Sequence, residues 1–232
     1  MNTRGLLDQL LKSGNDFLSR QSGSAGKPAA QTGADPLSGF LSGAAGGALA
    51  AGAMGLLMGN KKARKVTGNV AMYGGLAALG VVAYKAYDNW QKNQSAAPVR
   101  ELQTVDRLSG TQLEDHSQAI LRALIGAAKA DGHIDERERS LIDGELAKLG
   151  TDPALVRWFD QELRKPLDPA DVASAATSPE MAAEMYVASV LMVDEDSFME
   201  RAYLQELARQ LKLEPGLVAE LERQVAQSLA AR

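Results

Sequence analysis

The sequence predicts an all-α protein, in which a Gly-rich hydrophobic helical hairpin or anchor precedes a compact bundle of about seven helices. Three observations predict it. Residues 36–60 contain no ionisable side chain. Apolar residues in the second half recur at helical spacing, without the alternation typical of strands. The charge is split, since residues 1–100 carry 11 Lys/Arg and 4 Asp/Glu, whereas residues 101–232 carry 14 and 25. The two halves are therefore expected to meet different surroundings.

The composition excludes several classes of site. The chain has 232 residues and a net charge of −4, with no Cys and two His. Without Cys there is no disulfide scaffold, thiolate zinc site or Cys nucleophile, and two His residues are too few for a His-rich metal centre. The phosphate-binding, serine-hydrolase and zinc-protease motifs are also missing, so we expect no enzyme. The acidic second half is not expected to bind nucleic acid.

Residues 1–36 combine a predicted amphipathic helix with a flexible linker. The helix covers residues 5–20, and we expect it to dock on a partner or to lie on a surface, including a lipid surface. Residues 21–36 are rich in Gly, Ser, Ala and Pro and lack an apolar period, which is typical of a linker. The apolar stripe of the helix consists of Leu6, Leu7, Leu10, Leu11, Phe17 and Leu18.

Residues 37–90 form the predicted membrane-anchor region, with helices at 36–60 and 66–84. The first run has 25 residues, and such a helix spans about 37 Å, which is enough for a bilayer core. The second run, of 19 residues, is about long enough. A basic turn separates the runs and aromatic side chains follow the second, as is typical of a membrane interface. These interface residues are Lys61, Lys62, Arg64, Lys65, Tyr84, Tyr87 and Trp90.

Small residues recur at every fourth position along the first run. Residues four apart share one face of a helix, so another helix backbone can approach this face closely. We expect this face to pack helices together, either within the hairpin or in a homo-oligomer. An Ala/Gly-rich linker and a hairpin outside lipid are the alternatives. The residues of this face are Gly39, Gly43, Gly47, Ala51, Gly55 and Gly59.

The side of the membrane on which the acidic half lies depends on how many runs span. The basic turn is expected in the cytoplasm. If both runs span, the acidic half lies on the far side, whereas a single span by the first run leaves it in the cytoplasm. Thr67, Asn69 and several Gly residues dilute the hydrophobicity of the second run, which favours the cytoplasmic option.

Residues 91–110 are a predicted linker, and residues 111–232 form the predicted acidic helical domain. Its helices carry start signals, either a capping box or a cap residue followed by Pro. The starts are predicted at Thr111 with Glu114, Asp135 with Glu138, Asp152-Pro153, Asp168-Pro169, Ser178-Pro179, Ser197 with Glu200, and Pro215.

Two stretches of this domain look alike. Residues 127–142 and 189–204 each contain an apolar helix end, an acidic turn and a capped helix with Glu in its first turn. The turns differ in length by one residue. We therefore expect two related helix–turn–helix units whose acidic turns lie on one side of the domain.

The run Asp131-Gly132-His133-Ile134-Asp135-x-x-Glu138 resembles the signature of TerB-like domains, which are named for tellurite-resistance proteins. With the Gly-rich segment, the basic turn and the later Phe198-Met199-Glu200-Arg201, the chain resembles the YebE-like bacterial inner-membrane proteins over roughly residues 37–225. The resemblance implies an all-α fold, an inner-membrane location and a link to envelope or tellurite stress. It also implies a metal role for Asp131, Asp135, Glu138, Asp194 and Glu200. Asp196 is added as a further candidate ligand because it is acidic, although the first turn has no clear counterpart to it.

The carboxylates of the two turns have three interpretations. They could bind a divalent cation such as Ca²⁺ or Mg²⁺ through oxygen ligands. The spacing is not that of an EF-hand, because the twelfth position counted from Asp131 is Ile142. The same side chains also suit capping boxes, and an acidic patch that docks a partner is the third interpretation. Apart from such a cation, no cofactor is expected.

The predicted function is a membrane-anchored helical interaction or sensing module in the bacterial inner membrane. Its Gly-rich face associates helices in the bilayer, and its acidic domain binds a cation or a protein that the sequence does not identify. The expected partners are the lipid bilayer and further copies of the chain. The alternative is a soluble acidic scaffold whose Gly/Ala hairpin mediates self-assembly.

Overall fold

The computed structural model of the chain describes residues 3–5, 7, 76–93, 103–130, 152–193 and 197–230. Every regular element in these ranges is a helix, which confirms the predicted all-α fold. Residues 3–5 and 7 are helical and are called the N-terminal segment below. The other helices are α1 (Leu76–Asn93), α2 (Gly110–Ala128), α3 (Pro153–Arg164), α4 (Pro169–Ala173), α5 (Pro179–Met192), α6 (Phe198–Gln210) and α7 (Pro215–Ala230). The first apolar run and the helix predicted after Asp135 lie outside the described residues.

Helix α5 is the centre of the bundle. All of its residues from Glu180 to Met192 are buried, as expected for a helix that is apolar on every side. Helices α1, α2, α6 and α7 pack against it. Helix α4 lies against α2 and α6, and α3 contacts α2. The polar groups of α5 are therefore surrounded by other helices.

Local start signals act as predicted at four helices. Asp152 and Asp168 each precede a Pro, and each accepts a hydrogen bond from the backbone N–H two residues later. Ser178 caps α5 by accepting from the Met181 N–H at 3.1 Å. Ser197 caps α6 by accepting from the Glu200 N–H at 3.4 Å. These bonds satisfy N–H groups that have no partner within their own helix.

The capping box predicted at the start of α2 is wrong. The helix begins at Gly110, preceded by Ser109 in extended backbone. Glu114 is engaged elsewhere, because its carboxylate accepts the backbone N–H groups of Thr3 and Arg4. A carboxylate is stabilised at the start of a helical segment by the free N–H groups and the helix dipole. Glu114 therefore caps the N-terminal segment, whose Leu7 is fully buried in the core.

Helix α1 belongs to the bundle, which corrects the prediction of a membrane helix at 66–84 for its described part. It packs against α5 and α7 with Leu79, Ala83 and Ala86 buried, whereas Lys85 points to solvent. These buried apolar side chains face other helices of the protein, whereas Val81 is 40% exposed. None of the helices in the described ranges combines the length and the apolar character needed to cross a membrane.

Residues 103–109, predicted as part of a linker, are also held by the bundle. Val105 is buried, and the Arg107 guanidinium lies 4.0 Å from the centre of the Tyr84 ring. Gly80 of α1 lies so close to this stretch that an added Cβ would meet the Asp106 backbone N at 2.9 Å. The packed helical unit therefore includes α1 and residues 103–109, which precede the predicted start at residue 111.

Candidate functional site

A buried His–Glu pair lies at the centre of the bundle. Glu184 of α5 is fully buried, and its Oε2 lies 2.6 Å from Nδ1 of His116 on α2. Its other oxygen accepts a hydrogen bond from the Val105 N–H at 2.5 Å. One carboxylate thus connects α5, α2 and the stretch that follows α1.

Burial raises the pKa of Glu184, and the negative charge of Asp106 acts in the same direction. The hydrogen bonds from His116 and from the Val105 N–H oppose that shift of the pKa without cancelling it. His116 is only 6% exposed, so both groups are closed to solvent. A proton-transfer role would require the bundle to open. The geometry fits a structural role, in which buried hydrogen bonds hold neighbouring helices together.

A second cluster of charges joins α2 to α3 and α4. The buried Glu162 accepts hydrogen bonds from Arg122 at 3.0 Å and from Lys165 at 2.7 Å. The bond from Lys165 to Glu162 raises the pKa of Lys165. Lys165 also reaches Asp171 at 3.4 Å. The cavity beside the cluster measures about 10 Å³, which is room for about one water molecule.

Lys129 closes the carboxyl end of α3. Its Nζ donates to the carbonyl oxygens of Glu162 and Lys165 at 3.0 and 2.6 Å. Burial lowers the pKa of Lys129. A cation at this end of a helix satisfies carbonyl groups that have no partner within the helix and complements the helix dipole. The charged cluster is therefore explained by helix docking.

The surface carries an apolar groove of about 360 Å³ between α1, the start of α5 and the turn from α6 to α7. Tyr87 and Trp90 form one wall, with ring centres 5.3 Å apart in an edge-on arrangement. Leu213 and Leu217 contribute to the opposite side. A smaller groove of about 260 Å³ lies between α2 and the start of α5.

Two large apolar side chains project from the start of α6. Phe198 is 74% exposed and Met199 is 64% exposed. Ser197 separates them from the acidic residues 194–196, which lie outside the described residues. Their neighbour Glu200 is 6% exposed. The first turn of α6 therefore presents its apolar side chains outward and its carboxylate inward.

The metal site predicted at the two acidic turns is not tested by the described residues. Among the six predicted ligands, the structure describes only Glu200. Its backbone N–H donates a hydrogen bond to the Ser197 hydroxyl, which caps α6. Within the described ranges, no group of three or more His, Cys, Asp or Glu side chains could hold a metal ion. Outside the described residues lie Asp131, Asp135, Glu138, Asp194 and Asp196.

The predicted helix-packing and membrane-interface residues are only partly described. Tyr84, Tyr87 and Trp90 lie on α1, where Tyr87 and Trp90 pack against the core and Tyr84 contacts Arg107. In the structure these aromatic side chains contact the bundle and the stretch 103–109, and their predicted place at a membrane interface stays a prediction. Outside the described residues lie Gly39, Gly43, Gly47, Ala51, Gly55, Gly59, Lys61, Lys62, Arg64 and Lys65.

The buried polar residues that hold the helices together were not predicted from the sequence. Glu184 had a visible signal, because it stands between Met181 and Met185 in the most apolar helix of the chain. A carboxylate in such a helix is costly unless it has a partner. His116 is three residues from Leu113 and four from Ile120, which places it on the buried face of α2. Nothing in the sequence indicates that these two residues meet.

Comparison with known proteins gives matches of undefined function. A family model described as "Protein of unknown function (DUF533)" matches residues 43–225. A protein of Yersinia enterocolitica, described as "Uncharacterized protein in ampR 5'region", is 37% identical over 101 residues, which cover 44% of this chain and 73% of that protein. No solved structure matches the chain.

Proposed function

The chain belongs to the family described as Protein of unknown function (DUF533), which is TerB-like, and we propose that it is a membrane-anchored helical interaction module. Residues 36–60 are the anchor, and the helical bundle is the part that meets a partner. The bacterial inner membrane is the proposed location, with the bundle in the cytoplasm. The family match spans most of this run together with the bundle, which supports treating them as one unit.

The position of α1 carries this proposal. Leu79, Ala83 and Ala86 are buried within the bundle, so the described part of the second apolar run, residues 76–84, packs on protein. The first run, which ends at Asn60, remains as the membrane segment. Because basic residues 61–65 follow the first run, the bundle that comes after them is expected in the cytoplasm.

Two moderate contributions to the free energy are expected to attach the chain to the membrane. The six Leu and Phe side chains of residues 36–60 contribute about 2–4 kcal/mol if they lie near the bilayer centre. The four basic side chains of residues 61–65 add about 1 kcal/mol each near an anionic surface. Attachment should therefore depend on anionic lipid and weaken with salt.

A partner surface is supported by Phe198 and Met199. They are the most exposed large apolar side chains within the described residues. Apolar side chains of this size, next to the carboxylates of residues 194–196, suit a partner that offers an apolar contact with basic side chains around it.

Vesicle flotation tests the anchor. The full chain should float with vesicles that contain phosphatidylglycerol. A variant lacking residues 37–60, which keeps α1, should stay at the bottom of the gradient while retaining its helical circular dichroism. The proposal fails if the full chain stays at the bottom or if the shortened variant floats equally well. A variant with Gln at Lys61, Lys62, Arg64 and Lys65 should float less, and F198S/M199S should float as the parent does.

The soluble-scaffold alternative makes the opposite prediction. Its full chain would form defined oligomers in buffer without lipid or detergent, and the variant lacking 37–60 would not. Sedimentation velocity of both proteins separates the two proposals, because a scaffold assembles without vesicles.

Cation binding at the acidic turns and a link to envelope or tellurite stress stay predictions. The variant lacking 37–60 is the protein for a calorimetric titration with Ca²⁺ and Mg²⁺, since it retains α1. If the turns bind a cation, D131N and D194N should each weaken binding. Absence of heat for the parent would end this interpretation and leave capping or partner docking.

A further inference from the structure

The apolar groove between α1, the start of α5 and the turn from α6 to α7 has the size of a small-molecule site. Its volume of about 360 Å³ lies within the range of about 300–1,000 Å³ that is typical of such sites. Tyr87 and Trp90 form one wall, and Leu213 and Leu217 contribute to the opposite side. The groove therefore suits the apolar part of a ligand, which is stabilised when it leaves water.

Some polar groups of the groove lack a strong hydrogen-bond acceptor. The indole N–H of Trp90 has no acceptor within the described ranges. Among the same residues, Thr177 donates from its backbone N–H and its hydroxyl only to Sδ of Met181, at 3.5 and 3.8 Å. A thioether sulfur is a weak acceptor. A ligand that carries acceptor oxygens would satisfy these donors better.

Two opposite charges line the same groove. Lys212 and Glu214 belong to the turn from α6 to α7, and both are exposed. In the part of the chain that the structure describes, neither side chain forms an ion pair. A ligand that carries one charge of each sign complements this pair of side chains.

Lys212 occupies a backbone position that favours glycine. Its φ is 56°, in the left-handed region. Its N–H donates to the Arg209 carbonyl, and the Leu213 N–H donates to the Ala208 carbonyl, each at 3.1 Å. These two bonds form a Schellman motif, in which this position is usually Gly because a Cβ is unfavourable there. The backbone gives no reason for a lysine, so the use of this residue lies in its side chain at the groove.

We propose that this groove binds a free α-amino acid with a large apolar side chain. The side chain packs along Tyr87 and Trp90, the carboxylate pairs with Lys212, and the ammonium group pairs with Glu214. This inference goes beyond the proposed interaction module. It does not depend on the membrane anchor, because the groove lies wholly within the bundle.

The fluorescence of Trp90 reports whether the groove is occupied. The chain contains two Trp residues, so W158F leaves Trp90 as the only indole. This full-length variant is titrated with L-phenylalanine, with 3-phenylpropanoate, which lacks the ammonium group, and with 2-phenylethylamine, which lacks the carboxylate. L-Phenylalanine should change the emission in a saturable way and bind about three- to fivefold more tightly than either analogue, as expected for one ion pair near the surface.

K212G and E214Q, each combined with W158F, separate the two charge contacts. K212G places the residue that the backbone favours, so its unfolding midpoint in urea should be at least that of W158F. It should weaken L-phenylalanine and 3-phenylpropanoate by about three- to fivefold and leave 2-phenylethylamine unchanged. E214Q should weaken L-phenylalanine and 2-phenylethylamine by a similar factor and leave 3-phenylpropanoate unchanged.

The other outcomes overturn the inference. Without a saturable change in emission, the groove holds no such amino acid. Unchanged affinity for L-phenylalanine in both K212G and E214Q would place the ligand elsewhere on the chain. N-Acetyl-L-phenylalaninamide carries neither charge and resembles a segment of a peptide, so it should bind at least about tenfold more weakly than L-phenylalanine. Equal binding of this compound would show that the groove docks a peptide segment instead.

Discussion

Among individual residues, the buried pair of His116 and Glu184 should make the stability of the bundle depend on pH. H116A leaves a buried carboxylate without its imidazole partner, which should cost about 3–5 kcal/mol in the free energy of unfolding near neutral pH. Burial already raises the folded-state pKa of Glu184, and losing His116 should raise it further. A raised pKa favours the folded protein at low pH, so the deficit should shrink as the pH falls through that value. Urea unfolding at about pH 7.5 and about pH 5 measures this change.

The control for this prediction is the double variant H116A/E184Q. It carries no carboxylate at position 184. Its loss in the free energy of unfolding should therefore be no smaller at acidic pH than near neutral pH. Equal deficits of H116A at both pH values would contradict the assignment of the pH dependence to Glu184.

Gly126 of α2 is required by the close approach of α6. An added Cβ would lie 2.6 Å from Oη of Tyr203 and 2.9 Å from Cγ2 of Val172. G126A should therefore lower the free energy of unfolding by about 1–3 kcal/mol, although Ala is the better helix former. In G126A/Y203F the oxygen is gone, and part of the loss should be recovered. Denaturation of both variants and of Y203F gives the coupling free energy between the two substitutions. If their effects on the free energy of unfolding simply add, the contact is refuted.

At the level of the helices, start signals were predictable where both partners are close in sequence. Asp152, Asp168, Ser178 and Ser197 each bond a backbone N–H two or three residues away. Glu114 had the same local pattern, but its carboxylate caps a segment 110 residues away in sequence. A capping motif in the sequence does not show that a distant segment competes for the same carboxylate.

Glu114 and the N-terminal segment should be energetically coupled. E114A removes the acceptor of two backbone N–H groups and should cost about 1–3 kcal/mol, typical of hydrogen bonds to a charged group. In a chain lacking residues 1–8 the same substitution should have little further effect, because its partner is absent. Urea unfolding of the four proteins of this cycle measures the coupling. An unchanged effect of E114A in the shortened chain would restore its assignment to the start of α2.

For the whole molecule, the fold class was predictable and the extent of the bundle was not. Helical spacing of apolar residues is a local property, so the all-α class follows from the sequence. Hydropathy reports that the α1 region is apolar, but it does not report whether lipid or protein covers it. The contacts of Leu79 with the core and of Asn89 with Glu220, at 3.1 Å, link positions that are far apart in the chain. The His116–Glu184 pair was unpredictable for the same reason.

The extent of the bundle gives a prediction for fragments. A fragment of residues 76–232 keeps α1 against α5 and α7 and should unfold cooperatively. A fragment of residues 111–232 loses α1 together with Val105, which donates to the buried Glu184. It also exposes the apolar surface that covered Leu79, and burial of one such side chain contributes about 1.5–3 kcal/mol. The shorter fragment should therefore lose several kcal/mol or aggregate, which thermal unfolding and size-exclusion chromatography detect. Equal melting temperatures of the two fragments would place the boundary after α1.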